Sequence, residues 1–175
     1  MNYVEQNDKF GLRPMTYEDC ADVVKWRNSV SRFYVYRDPL TLKGEQEYYR
    51  TKIETGLITI LIICIKKDSP DADKSVGCVV IESPDDTGTA EYGLFIGEDG
   101  ARGMGLGRWA IRAMQDYARD VMGLKKITCR IFTDNYASWK SNEHAGFVRT
   151  GEIIDVTCSD GEAKQMYIYE VDLTT

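Results

Sequence analysis

The stretch "LITILIICIK" (57–66) is apolar at nearly every position and rich in β-branched residues. That pattern predicts a strand covered on both faces. "KSVGCVVIE" (74–82) and "TAEYGLFIG" (89–97) repeat the β-type composition, and the polar turns "KDSPDAD" and "SPDDTG" separate the three. Three such strands joined by short turns predict an antiparallel meander. The period then changes. Leu106, Trp109, Ala110, Ala113, Met114, Tyr117, Ala118 and Val121 recur at steps of three and four, which makes one face of a helix that Gly123 stops. "KKITCRIF" (125–132) reads as a strand, and a strand–helix–strand unit this short implies parallel pairing across the helix. "NYASWKSNEHAG" (135–146) reads as a short polar helix. "GEIIDVTC" and "QMYIYEV" close the chain as a hairpin across "SDGEA".

The first third is weaker in pattern. "GLRPM" (11–15) predicts a short edge strand. Thr16 and Asp19 have the spacing of a helix cap, with Cys20, Val23, Val24 and Arg27 following at helical steps. Residues 27–40 read as a loop. Thr41 caps a second helix in which Leu42, Tyr49 and Ile53 share a face and Gly56 ends the run. The elements add up to a mixed α/β fold with seven strands, in one domain spanning residues 1–175.

Composition narrows the class. A net charge of −6 argues against a general nucleic-acid binder. The longest apolar run falls well short of the ~20 residues of a membrane helix. The polar start "MNYVEQNDKF" is not a signal peptide. Cys20, Cys64, Cys78, Cys129 and Cys158 are odd in number and far apart, as buried reduced thiols would be. These features predict a cytoplasmic protein with no membrane or nucleic-acid partner. With one histidine and scattered cysteines, no metal site is expected.

"ARGMGLGRWA" (101–110) carries the chemistry. Gly103, Gly105 and Gly107 stand between a strand and a helix, where four helix N–H groups have no internal partner. Missing side chains there open the N–H groups to a phosphate, favoured further by the helix dipole. Arg102 and Arg108 add positive charge. The alternatives are a tight packing turn, a Walker loop and a dinucleotide loop. No Lys–Ser/Thr pair follows for a Walker loop. Gly105-x-Gly107-x-x-Ala110 fits a dinucleotide pattern, but that motif belongs early in an alternating β-α series.

Arg102, Gly105 and Gly107 form Arg-x-x-Gly-x-Gly, which resembles the acetyl-CoA pyrophosphate loop of the GCN5-related N-acetyltransferases, the GNAT superfamily. Asn135, Ser138, Glu143, Gly146 and Phe147 resemble a second motif of that superfamily at its spacing. "KWRNS" (25–29), "AEYGLFIG" (90–97) and the last hairpin resemble the branch of ribosomal-protein, spermidine and amino-sugar acetyltransferases. The resemblance implies a mostly antiparallel seven-stranded sheet with about four helices, in which the parallel pair splays to admit the thioester. It implies acetyl-CoA as acetyl donor. Residues Gly103, Met104, Gly105, Leu106, Gly107 and Arg108 would hold its pyrophosphate, beside Arg102. Leu94, Phe95 and Ile96 would pair with the pantetheine arm and polarise the thioester carbonyl. Asn135 and Lys140 would meet the cofactor too.

Acetyl transfer needs a neutral amine, hence a base or a water chain. Glu91 is the first candidate base and Glu82 the second. Many GNAT enzymes protonate the departing thiolate with a Tyr that aligns here with Asn142; Ser141 or Asn142 would donate a hydrogen bond there instead, or water would protonate the thiolate. The acceptor pocket is expected between the loop 27–40 and the last hairpin, with Trp26, Arg27, Asn28, Tyr34 and Tyr36 as substrate residues. This aromatic and arginine lining suits an amino-sugar nucleotide better than a polyamine; a protein N-terminus is a further candidate acceptor. The other readings are a polyamine acetyltransferase, a non-catalytic acyl-CoA sensor and a dinucleotide oxidoreductase. A homodimer through the last strands stays open.

Overall fold

The computed structural model describes residues 1–69 and 72–175. Its elements run β1 Glu5–Gln6, β2 Phe10–Pro14, α1 Cys20–Ser29, α2 Leu42–Tyr48, β3 Thr59–Ile65, β4 Lys74–Ile81, β5 Thr89–Ile96, α3 Leu106–Asp120, β6 Lys126–Phe132, α4 Tyr136–His144, β7 Val148–Thr157 and β8 Ala163–Asp172. The eight strands form one sheet in the order β1-β2-β3-β4-β5-β6-β8-β7. Among the described residues only β5 and β6 pair in parallel; the other pairs are antiparallel.

The pattern predicted seven strands. The eighth is β1, whose two polar residues carry no alternation to read. It pairs Glu5 with Leu12 and Gln6 with Gly11, so the strand expected at the edge is covered. The loop 27–40 also differs in detail, since α1 runs on to Ser29 and a short 3-10 turn follows at Ser31–Phe33. In the turn 67–73, Pro70 and Asp71 lie outside the described residues. Asp73 there accepts hydrogen bonds from the Tyr3 hydroxyl and the Lys67 N–H, a structural task.

Helices cover both faces of the sheet. Leu106, Ala110, Met114 and Ala118 of α3 pack on Val79, Ile81, Tyr92 and Ile127, with Phe147 beside α4 completing that core. Cys20, Val23 and Trp26 of α1 pack on Ile60, Ile62, Cys78 and Phe95 on the opposite face. β3 is buried along its centre, as its unbroken apolar run demands. All five cysteines are unpaired and buried.

Two glycines set the sheet's closest approaches. A Cβ at Gly97 would stand 2.2 Å from the Cβ of Trp26. A Cβ at Gly77 would stand 2.2 Å from the Phe95 carbonyl oxygen and 2.9 Å from the Ile96 Cα. Backbone cannot rotate away as a side chain can, so β4 and β5 would have to part. Gly77→Ala is therefore expected to cost about 2–3 kcal/mol as an overpacking change. A thermal melt should show Tm lower by roughly 5–10 °C for a domain of this size.

Candidate active site

The parallel ladder between β5 and β6 is short. It joins Thr89 to Lys126, Ala90 to Ile127 and Glu91 to Thr128, and stops there. Beyond it β5 continues beside β4 and β6 beside β8, so the two strands diverge and leave a cleft. The backbone of β5 lines this cleft in a definite phase. The Glu91 carbonyl accepts from Glu82 N–H at 2.9 Å, and Gly97 N–H donates to Val76 at 2.9 Å. Odd-numbered residues thus turn their backbone groups to β4, and alternation turns those of Tyr92, Leu94 and Ile96 into the cleft. Leu94 and Ile96 are among the predicted pantetheine contacts. Phe95 instead points its side chain to the opposite face, where its ring meets Tyr34 edge-on at 6.1 Å.

The glycine segment follows directly. Gly103 and Gly105 have φ of +78° and +79°, the left-handed region that glycine enters freely. Gly105 is the N-cap of α3, and a Cβ at either glycine would meet no atom within 4 Å. No protein acceptor among the described residues takes the N–H groups of residues 103–108. The result is an open cradle of donors at the helix N-terminus, which fits a diphosphate. Leu106 is buried and anchors the turn, while Met104 and Arg108 are exposed at its rim. Arg102 donates to the Ile96 carbonyl at 3.2 Å and lies 3.5 Å from Asp99, which places its charge where β5 meets the cradle.

Helix α4 closes the other side of the cleft. Asn135 caps its start and is half-buried; Lys140 is exposed, its ammonium 5.3 Å from the Tyr136 ring. Ser141 is half-buried. Asn142 is only 4% exposed and turned inward. It accepts from the Tyr92 hydroxyl and donates to the Ser138 carbonyl at 2.9 Å. The structure therefore gives Asn142 a packing role between α4 and β5, in place of the one expected at the thiolate. Tyr92 was not foreseen. Burial pushes its phenol well above the ordinary range, so it stays neutral.

On the α1/α2 face, the floor next to the cleft is Gly93, where a Cβ would meet nothing within 4 Å. Glu91 and Glu82 stand side by side at its edge. Arg130 donates to Glu91 at 2.9 Å. Burial raises the Glu82 carboxyl above its usual range, and the Glu91 charge adds to this against a smaller opposing effect of Arg130. The loop 27–40, beside which the acceptor pocket is expected, packs directly against the last hairpin. Arg37 reaches Asp160 at 3.0 Å and Glu162 at 2.5 Å, and Ser159 N–H donates to the Val35 carbonyl at 2.8 Å.

The predicted substrate residues divide. Trp26 is a core residue, 1% exposed, with its indole N–H on Glu98 at 2.9 Å. It presents no surface to an acceptor, and this corrects the expectation. Asn28 pins the loop by bonding both the N–H and the carbonyl of Leu40. Arg27 stacks on Tyr34 at 3.5 Å and donates to the Tyr36 carbonyl. Tyr36 itself is exposed. Among the described residues, no helix is long and apolar enough to cross a membrane.

Known proteins give this geometry a context. A comparison with curated protein sequences finds no match. The spermidine N-acetyltransferase of Vibrio cholerae, solved with CoA and spermine, superposes with a TM-score of 0.81 at 18% identity over 96% of this chain and 98% of that one. A dodecameric structure of that enzyme in an intermediate state gives 0.79 at 19% identity, covering 96% of each chain. A candidate phosphinothricin N-acetyltransferase gives 0.77 at 20% identity, covering 95% of this chain and 99% of that one. These likenesses establish the fold. The family model for the acetyltransferase (GNAT) domain matches residues 9–148, which span β2 to the start of β7 and include the cleft and the cradle. The chain thus belongs to the GNAT family, as an acetyl-CoA-dependent N-acetyltransferase.

Proposed function

We propose that the acceptor is the primary amine of a linear polyamine, and that the cleft between β5 and β6 is where acetyl-CoA meets it. The observation that carries this reading is the charge around Gly93. Glu82 and Glu91 face the acceptor approach, while Arg27, expected at the acceptor, and Arg37 of the same loop are committed elsewhere. Arg27 lies over Tyr34, and Arg37 is held by two carboxylates. A nucleotide diphosphate would find little free positive charge here, whereas an ammonium finds carboxylates. The fold shared with an enzyme solved with spermine agrees with this choice over an amino-sugar nucleotide.

In this reading the donor N–H groups of residues 103–108 hold the CoA diphosphate. The Leu94 N–H, aimed into the cleft, meets the thioester carbonyl oxygen and stabilises the negative charge that grows there as the amine adds. Glu82, paired with Glu91, takes the amine's proton through water. Glu82 suits this task because its raised pKa lies nearer the working pH. Arg130 holds the Glu91 carboxylate beside it. With Asn142 engaged in packing, water protonates the departing thiolate, and Ser141 is the nearby hydroxyl that can orient it. The chain acts in the cytoplasm, where acetyl-CoA and polyamines meet.

The test is turnover of acetyl-CoA with an acceptor panel of spermidine, a nucleotide-linked amino sugar and a peptide with a free N-terminus, read as released CoA. Spermidine is expected to give the highest kcat/KM, by at least about tenfold, since a good charge contact to a carboxylate is worth that much. Preference for the amino-sugar nucleotide would overturn the acceptor assignment.

A further inference from the structure

Three polar or charged residues are buried among the described ones: Asp19, Glu45 and Asn142. Asp19 is met by Arg13 and by Thr16 N–H, and Asn142 by Tyr92 and Ser138. Glu45, 8% exposed on α2, has no hydrogen-bond donor and no cation at its carboxylate among the described residues. A carboxylate taken out of water without a partner is costly, so folding alone does not explain it. It is not sealed either. No fully covered side-chain oxygen lacks a partner among the described residues, so the Glu45 oxygens open onto accessible space.

Its position is on the acceptor face. α2 packs against α1, and its Tyr48 joins the cluster formed by Cys20 of α1 with Ile60, Ile62 and Cys78 of the sheet, which places this side of α2 where α1, α2 and the sheet meet. Tyr48, one turn along α2, links it to the reacting end. Burial pushes the Tyr48 phenol up to about 12, and Glu82 and Glu45 both add to the effect. Cys78, Val80 and Glu82 alternate along the same face of β4, a span of about 13 Å from Cys78 to Glu82. The floor between them is Val80 and its cross-strand partner Gly93. Carboxylates thus stand at both ends of a track whose middle is apolar and open.

We propose that Glu45 is a specificity-determining residue that binds the second ammonium of a linear polyamine whose reacting nitrogen sits at Gly93, beside Glu82 and Glu91. This rests on the polyamine reading above. A chain of methylenes between two cations matches an apolar floor between two carboxylates, and the ammonium supplies the partner that Glu45 lacks. A monoamine of similar length would reach the same cleft but leave Glu45 unmet.

Two measurements on wild type and Glu45→Gln test it, with spermidine and hexylamine as probes. Equilibrium binding to the CoA-loaded protein is read by calorimetry, and turnover by CoA release. Gln keeps the shape and removes an unmet charge, so the variant should melt no lower than wild type. Expected is a loss of spermidine affinity of about 10- to 100-fold, with the preference for spermidine over hexylamine in kcat/KM falling by the same factor. Equal spermidine binding by both proteins overturns the Glu45 assignment while leaving acetyl transfer intact. Acetylation of neither amine, with spermidine binding lost in the variant, upholds the Glu45 site and overturns the catalytic acceptor reading.

Discussion

Gly107→Leu is expected to weaken CoA binding by a hundredfold or more without loss of stability. Gly107 lies in the first turn of α3 and lacks the left-handed φ of its neighbours. Its Cβ would touch only the Ile96 Cδ1, at an ordinary 3.8 Å. Replacing a helical glycine adds up to about 1 kcal/mol of helix propensity. A helical side chain leans over the turn that precedes it, which here is the donor cradle of residues 103–106. Charge-assisted hydrogen bonds are worth about 1.5–3 kcal/mol each, so blocking two removes at least two decades of affinity. Gly105→Val makes the useful contrast. It should lose CoA as completely, yet also melt lower, because a β-branched residue pays roughly 1–2 kcal/mol in the left-handed region. Calorimetry with CoA beside a thermal melt separates the two effects. Unchanged CoA affinity in Gly107→Leu would place the diphosphate somewhere other than this helix end.

Removing the carboxylate pair should cost turnover of about 10²- to 10³-fold in kcat/KM, within the range for general-base catalysis. The singles are expected to differ. Glu82→Gln removes the carboxyl whose pKa stands high, so the deficit is deepest at low pH and narrows as pH rises and free amine becomes plentiful. Glu91→Gln takes away the like charge that helps raise Glu82 and frees Arg130 to approach it. Glu82 then titrates lower, and the acid limb of the pH–rate profile moves down. A parallel, pH-independent drop in both variants would mean that the pair only shapes the pocket.

Much of this site was readable because its chemistry lies in the backbone. Three glycines at alternate positions before an amphipathic helix have few uses, and the cradle appears where they stand. The divergence of β5 and β6 was implied by the family likeness, and the structure adds where it starts, after Glu91. What stayed hidden depends on packing across distant segments. Trp26 looked like pocket lining because its sequence neighbours are aromatic and basic, yet Gly97, 71 residues on, makes room for it in the core. Asn142 took its expected role from an alignment position, but only the fold brings Tyr92 to it. Glu45 had a faint signal. It sits between Leu42 and Tyr49 on the face read as apolar, where a carboxylate is out of place. β1 gave none, being two polar residues held by their neighbour.

The burial of the cysteines has a practical side. The five side chains are between 0% and 4% exposed, and burial lifts the thiols of Cys20, Cys64, Cys78 and Cys129 away from the reactive thiolate form. The native chain is thus silent toward a colorimetric sulfhydryl reagent. In a continuous assay each increment of colour counts one product molecule, with no blank to subtract for the catalyst. Colour that develops without any amine present becomes a clock for loss of the native state.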